Sequence, residues 1–129
     1  IGNRIYGCDD CQLVCPWNKF TQHTIEKDIT NRNSLDSSTL IDLFNWSEEE
    51  FLKKTEGSAI LRIAYDAWLR NIAVALGNLL GNLAKSNTVG NNSNQLIVHE
   101  EIIQTLEEKK SHPSAMVREH VEWALLQYA

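Results

Sequence analysis

Leu69-Arg70-Asn71-Ile72-Ala73-Val74-Ala75-Leu76-Gly77-Asn78-Leu79-Leu80 is the stretch whose reading decides the fold. Leu69, Ile72, Ala73, Leu76, Leu80 and Leu83 recur at i, i+3, i+4 and i+7, which gathers apolar side chains on one face of a helix. The pattern predicts a helix from about Tyr65 to Leu83, the strongest in the chain. Gly77 interrupts it at a cost of up to about 1 kcal/mol. A glycine there is expected where a second helix approaches closely.

Working outward toward the C-terminus, Ser86-Asn87-Thr88-Val89-Gly90-Asn91-Asn92-Ser93-Asn94 reads as a low-complexity, mobile loop over 86–94. Gln95 to Lys110 returns to helix, with Leu96, Ile103 and Leu106 inward. Lys109-Lys110 close it at the negative end of the helix dipole. The last helix follows Pro113 and sets Val117, Val121, Ala124, Leu125 and Tyr128 on one face. A shift of 48 residues aligns Leu69-Arg70 with Val117-Arg118, Ala73 with Val121, Leu76 with Ala124 and Leu80 with Tyr128. An aliphatic–arginine start followed by small and large apolar positions has the look of a HEAT-like repeat helix, which predicts paired antiparallel helices around a packed interior.

Toward the N-terminus, Ser38 to Asn45 reads as a short helix carrying Leu40, Leu43 and Phe44. Ser47-Glu48-Glu49-Glu50 is a capping box, in which the Ser47 hydroxyl takes an early amide while Glu50 reaches back. Phe51 and Leu52 are expected to begin the buried side of that helix. Gly57-Ser58 ends it and caps a turn around Ala59 to Ile63. Residues 21–37 are polar and read as an irregular linker. No alternating strand pattern occurs. The fold expectation is all-α: a HEAT-like helical domain over 38–129, preceded by an irregular cysteine loop over 1–20.

All three cysteines lie in that loop, in Cys8-Asp9-Asp10-Cys11-Gln12-Leu13-Val14-Cys15-Pro16. The run resembles the back half of a bacterial ferredoxin cluster motif, C-x2-C-x2-C-x3-C-P. Laying Cys15-Pro16 on its end puts Cys11 and Cys8 on the third and second ligands, and the first falls on Ile5, which cannot bind iron. Cys8, Cys11 and Cys15 are therefore read as ligands of an iron–sulfur site completed from another segment. Three thiolates satisfy no cubane, so this stretch alone is expected to hold no stable cluster and to carry free thiols. The fourth cysteine of such a loop serves a second cluster where two are present. The rival reading is a structural zinc clip, with His23 as fourth ligand, on a HEAT-like interaction module. Ile1 in place of an initiator methionine adds to the expectation of a piece cut from a longer protein.

The bulk numbers agree with one domain. A chain of 129 residues with four tryptophans and 43% apolar content buries roughly two thirds of its unfolded surface. There is no run of about 18 apolar residues and no export signal at the start. An odd, clustered set of thiols suits a reducing compartment, so a cytoplasmic location is expected, with no membrane partner. A net charge of −5 argues against a general nucleic-acid binder. Lys53, Lys54, Arg62, Arg70 and Lys85 nevertheless face only Glu56 and Asp66 between 53 and 85. His23, His99, His112 and His120 have no nucleophile at a recognisable spacing and are expected at the surface or as caps. No P-loop, dinucleotide-binding glycine motif or zinc-protease helix occurs, and no catalytic residue is assigned.

A family resemblance joins these parts. Residues 1–18, from Ile1-Gly2-Asn3-Arg4 through Cys15-Pro16-Trp17-Asn18, look very like the second cluster loop of the epoxyqueuosine reductases. Gly57-Ser58-Ala59-Ile60 through Arg62, and Leu69-Arg70-Asn71 through Asn78, resemble that family's C-terminal helical domain. Val117-Arg118-Glu119 with Trp123-Ala124-Leu125 resembles its final repeat. The resemblance implies an oxidoreductase that reduces epoxyqueuosine to queuosine in tRNA, using cobalamin and two 4Fe–4S clusters. It implies that Cys8 and Cys11 bind the cluster far from cobalamin and that Cys15 completes the nearer one. The cobalamin-binding domain, the first cluster motif and the catalytic acid of the family are missing from the sequence, so the chain is expected to be inactive alone. The helical part would dock tRNA through Gly57, Ser58, Arg62, Arg70 and Asn71. The upstream remainder of the same polypeptide is its other expected partner.

Overall fold

The computed structural model of the chain describes residues 4–23, 25, 35, 38–86 and 93–128, the side chains of 86 and 93–96 excepted. Among them are six α-helices and no strand: α1 (Asp10–Leu13), α2 (Leu40–Phe44), α3 (Glu48–Thr55), α4 (Tyr65–Ser86), α5 (Ser93–Glu108) and α6 (Ala115–Leu126). Short 3-10 turns cover Pro16–Phe20 and Ala59–Arg62. The all-α expectation holds. Most of the linker and of the 86–94 loop lies outside the described residues.

Helix α4 is the axis of the body. Leu69, Ile72, Ala73, Leu76 and Leu80 are fully or almost fully buried, while Leu83 is half-buried. Val117, Val121 and Ala124 of α6 pack against this face. The fit is closest at Gly77, where a Cβ would lie 2.8 Å from Ala124 Cα and 2.8 Å from a Trp123 ring carbon. No side chain fits there, so the glycine serves the helix contact that its place in the pattern suggested. The apolar positions matched by the 48-residue shift are buried in both helices except for Tyr128, and the matched Arg70 and Arg118 are half-buried. It lies past the end of α6, is 50% exposed and sets its ring edge-on to His99 at 4.4 Å.

The other side of α4 closes over an aromatic cluster from α2 and α3. Both helices begin with capping boxes: Thr39 and Ser47 each accept the amide three residues on, while Asp42 and Glu50 accept back from their amides. These caps turn Leu43, Phe44 and Phe51 inward. Trp46 stacks on Trp68 at 5.8 Å, and Phe51 meets Trp68 at 5.5 Å. The Trp68 indole N–H donates to Leu43 O (3.2 Å), and Tyr65 OH donates to Trp46 O. Burial holds the Tyr65 hydroxyl above the usual tyrosine range. Leu52 departs from expectation. It is 50% exposed because Phe51 and Thr55, four residues apart, set the inward stripe, and the position after Phe51 turns outward.

Helix α5 starts earlier than the pattern suggested and ends at Glu108, with Lys109 and Lys110 in the turn beyond. Ile102 and Leu106 are buried and Ile103 half-buried, while the Leu96 side chain lies outside the described residues. His99 contradicts the surface reading: it is 4% exposed, and its Nε2 has no hydrogen-bond partner among the described residues. The reason is register, since His99 stands three residues before Ile102 and seven before Leu106 on the same inward stripe. His112 behaves as a cap, its Nδ1 accepting from the Ser114 amide ahead of α6. The His120 ring nitrogen bonds to Met116 O at 2.8 Å. Burial lowers the pKa of Lys109, whose ammonium lies 5.8 Å from the Phe44 ring centre.

Gly77→Ala is expected to destabilise the body by about 1–3 kcal/mol, because overpacking outweighs the gain in helix propensity. Gly81→Ala is the control: its Cβ meets Gln127 at an ordinary 3.6 Å and should raise the melting temperature. Thermal unfolding checks both, and a neutral Gly77→Ala rejects the close contact. The caps also predict a pH response. Hydrogen bonds from Thr39 and Ser47 hold the Asp42 and Glu50 carboxyls below their usual range. A carboxylate lowered by folding stabilises above its unfolded pKa and loses that contribution as pH falls through its folded value. Denaturant midpoints of the Asp42→Asn, Glu50→Gln variant should therefore fall less than wild type between about pH 5 and 3.

Candidate metal-ligand loop and its seat on the helices

The loop turns where its sequence permits. Gly7 has φ +64° and Asp9 has φ +52°, both in the left-handed region that glycine and aspartate tolerate best. Asp9 then caps α1 with its backbone rather than its side chain: Asp9 O accepts from the Gln12 and Leu13 amides at 2.9 Å. Arg4 pairs with Asp10 across the turn. Cys15 leaves this helix in extended conformation, and Pro16 opens the 3-10 turn with its fixed φ. Asn18 ties the two pieces together, its Nδ2 donating to Gln12 O at 2.7 Å.

This path exposes Cys8 and Cys11 and leaves Cys15 half-buried, all three as free thiols. The donor set suits iron–sulfur ligation, since thiolate sulfur is what such clusters take, and three thiolates complete no cubane by themselves. Among the described residues no group of three or more His, Cys, Asp or Glu side chains comes together as a ligand set. His23 is exposed and joins no such group. Beside the thiols lies an apolar surface: Leu13, Val14, Trp17 and Phe20 are 63–79% exposed. Trp17 and Phe20 contact each other at 5.5 Å, and a shallow cleft of about 340 Å³ runs between Pro16, Trp17, Lys19 and Phe20.

The remaining site residues fall into two groups. Gly57 (φ +69°) and Ser58 form the turn after α3, and Ser58 Oγ accepts the Ile60 amide at 3.2 Å, so the expected cap is present. The Leu61 amide is taken by Ser58 O. Arg62 is exposed, and no ion pair engages it among the described residues. Arg70 and Asn71, half-buried on α4, instead meet the cysteine loop. Asn71 Nδ2 donates to Ile5 O at 2.6 Å, while Arg70 Nε and Nη2 donate to Asn71 Oδ1 at 3.1 and 2.9 Å. Ile5 packs its side chain against the buried core. A cleft of about 360 Å³ between Arg4, Ile5, Gly7, Cys8, Arg70 and Asn71 marks the join. Nothing in the local sequence pattern announced this contact, which links positions 66 residues apart.

Comparison with known proteins finds relatives over nearly the whole chain. The chain is 52% identical over 128 residues to an epoxyqueuosine reductase of Xanthomonas campestris, covering 99% of the chain and 31% of that relative. It is 47% identical to the Pseudomonas aeruginosa epoxyqueuosine reductase over 97% of the chain and 30% of the relative. The Escherichia coli enzyme of that name is 50% identical over 98% of the chain and 29% of its own length. The chain belongs to the epoxyqueuosine reductase family. It spans about 30% of the length of these relatives. No family model and no solved structure matches it. No helix among the described residues is long and apolar enough to cross a membrane.

Exposure orders the thiols. In metal-free protein, Cys8 and Cys11 are expected to be alkylated faster than Cys15, because the attacking thiolate must be reachable. Time-resolved mass spectrometry of the three peptides checks this, and a leading Cys15 rejects the described path of the loop.

Proposed function

We propose that this chain is the C-terminal part of a cytoplasmic epoxyqueuosine reductase, an oxidoreductase that reduces epoxyqueuosine to queuosine in tRNA. The observation that carries the reading is identity of about half over nearly the whole chain to proteins of that name, together with a cysteine run of ferredoxin type. Cys8, Cys11 and Cys15 would hold 4Fe–4S clusters, with the missing ligands and the cobalamin site supplied by the upstream remainder of the polypeptide. Bound there, the clusters would supply single electrons to the reduction. The chain's own part is to carry ligands, shield them and bind the nucleic acid. The exposed Leu13, Val14, Trp17 and Phe20 suit contact with that remainder, since apolar surface beside a half-built site gains most by being covered.

The HEAT-like helical part would dock tRNA through Gly57, Ser58, Arg62, Arg70 and Asn71. Arg62 carries the test, because its guanidinium is exposed and a planar fork suits phosphate. The body is acidic at −5 overall, so binding would rest on this local face.

Anaerobic reconstitution of the full-length protein should yield eight iron per chain with bound corrinoid, an estimate of about four per cluster, and conversion of epoxyqueuosine in tRNA. Activity without metal rejects the reading. For docking, Arg62→Gln should lower the slope of log affinity against log salt by about one unit, and an unchanged slope rejects phosphate contact at Arg62.

A further inference from the structure

We infer that Asn71, oriented by Arg70, is a positioning residue that latches the cysteine loop onto α4 and sets where Cys8 is presented. An asparagine amide can be turned either way, and its neighbours decide which end faces where. Here both Arg70 donors, at 3.1 and 2.9 Å, converge on Asn71 Oδ1. Arginine only donates, so the oxygen is fixed toward it and the NH2 group is left facing the loop. That group meets Ile5 O at 2.6 Å. The Arg70 fork is itself held from its far side, with Nη1 lying 3.8 Å from Met116 Sδ of α6. Register therefore passes from α6 through Arg70 and Asn71 to the backbone of Ile5.

The latch acts on the loop at a useful place. Ile5 side chain packs on the core, so the residue is held from both its side chain and its carbonyl. Gly7, at φ +64°, then turns the chain, and Cys8 follows at the wall of the same cleft as Arg70 and Asn71. A guanidinium in the cleft wall beside a thiolate ligand also adds positive charge near whatever that thiolate binds. Asn71→Asp is the sharp variant. It keeps size and the acceptor for Arg70 but turns an acceptor toward Ile5 O, so the loop contact becomes repulsive. Asn71→Ala removes the amide altogether.

The role as a presenter of Cys8 to a cluster rests on the proposed iron–sulfur function; the latch itself does not. The experiment therefore has two arms on the full-length protein. In metal-free protein, limited trypsin digestion reads the Arg4–Ile5 bond. Loss of one hydrogen bond, worth about 0.5–1.5 kcal/mol, should speed cleavage there about two- to tenfold in Asn71→Asp and Asn71→Ala, with the melting temperature nearly unchanged. Equal cleavage in wild type and both variants overturns the latch. After anaerobic reconstitution, the variants should retain less iron and sulfide and shift the electron paramagnetic resonance signal of the reduced protein. Arg70→Gln should lower the reduction potential, because removing a nearby cation favours the oxidised state. Unchanged iron retention, signal and potential overturn the positioning role. A wild-type protein that takes up no iron overturns the iron–sulfur reading, and the digestion arm still decides the latch.

Discussion

The body of the protein depends on how closely α4 and α6 approach at Gly77. With a prospective Cβ 2.8 Å from Ala124 Cα, the helices meet backbone to backbone, and this contact sets their separation. Small residues continue the seam: Ala73 and Ala124 are fully buried beside it. Once that distance is fixed, Val117 and Val121 reach into the row of Leu69, Ile72 and Leu76, and one contiguous core results. Packing at this density leaves no slack for larger groups. The same closeness brings Met116 of α6 to the Arg70 guanidinium, so the seam also governs the end of α4 that carries the loop.

The loop has little hydrophobic substance of its own. None of the described residues in 4–23 is fully buried, and Ile5 is the one that joins the core from its edge. Its order comes from backbone turns, from Asn18 and Arg4 within the loop, and from the Asn71 amide outside it. A polypeptide of this kind is a fitting with one prepared side. Cys8 lines the cleft at that support, while Trp17 and Phe20 stand exposed.

Much of the fold was legible in the residues because the signals were local. Ser47 and Glu50 spelled a cap within four positions, Gly57-Ser58 marked a break, and the apolar row of α4 repeated often enough to fix its buried face. Gly77 was readable for the same reason, since a glycine in a strong helix needs a cause. Leu52 was misjudged because the inward stripe of this helix runs through Phe51 and Thr55, and Leu52 lies to one side of it. His99 was misjudged because residue type outweighed register, although its spacing from Ile102 and Leu106 placed it inward. Tyr128 failed for want of helix: α6 stops at Leu126, so the repeat pattern ran past the element that would have buried it. The cysteine run was visible in the residues, whereas its seat was not. Asn71 looks like an exposed polar residue in sequence, and only the folded chain reveals that Ile5 lies opposite.

Ile5 occupies the place where a complete ferredoxin motif would put a thiol, and it spends that place on anchorage. A fully ligated loop takes its shape from the metal; this one begins from a footing on protein. Each backbone residue ordered beforehand removes about 1–2 kcal/mol of entropy that metal capture would otherwise have to overcome. On the proposed iron–sulfur reading, maturation would then run in a set order: helices first, loop seated on them next, inorganic core last. The missing ligand is in this sense a division of labour, with half of the nest woven before anything is laid in it.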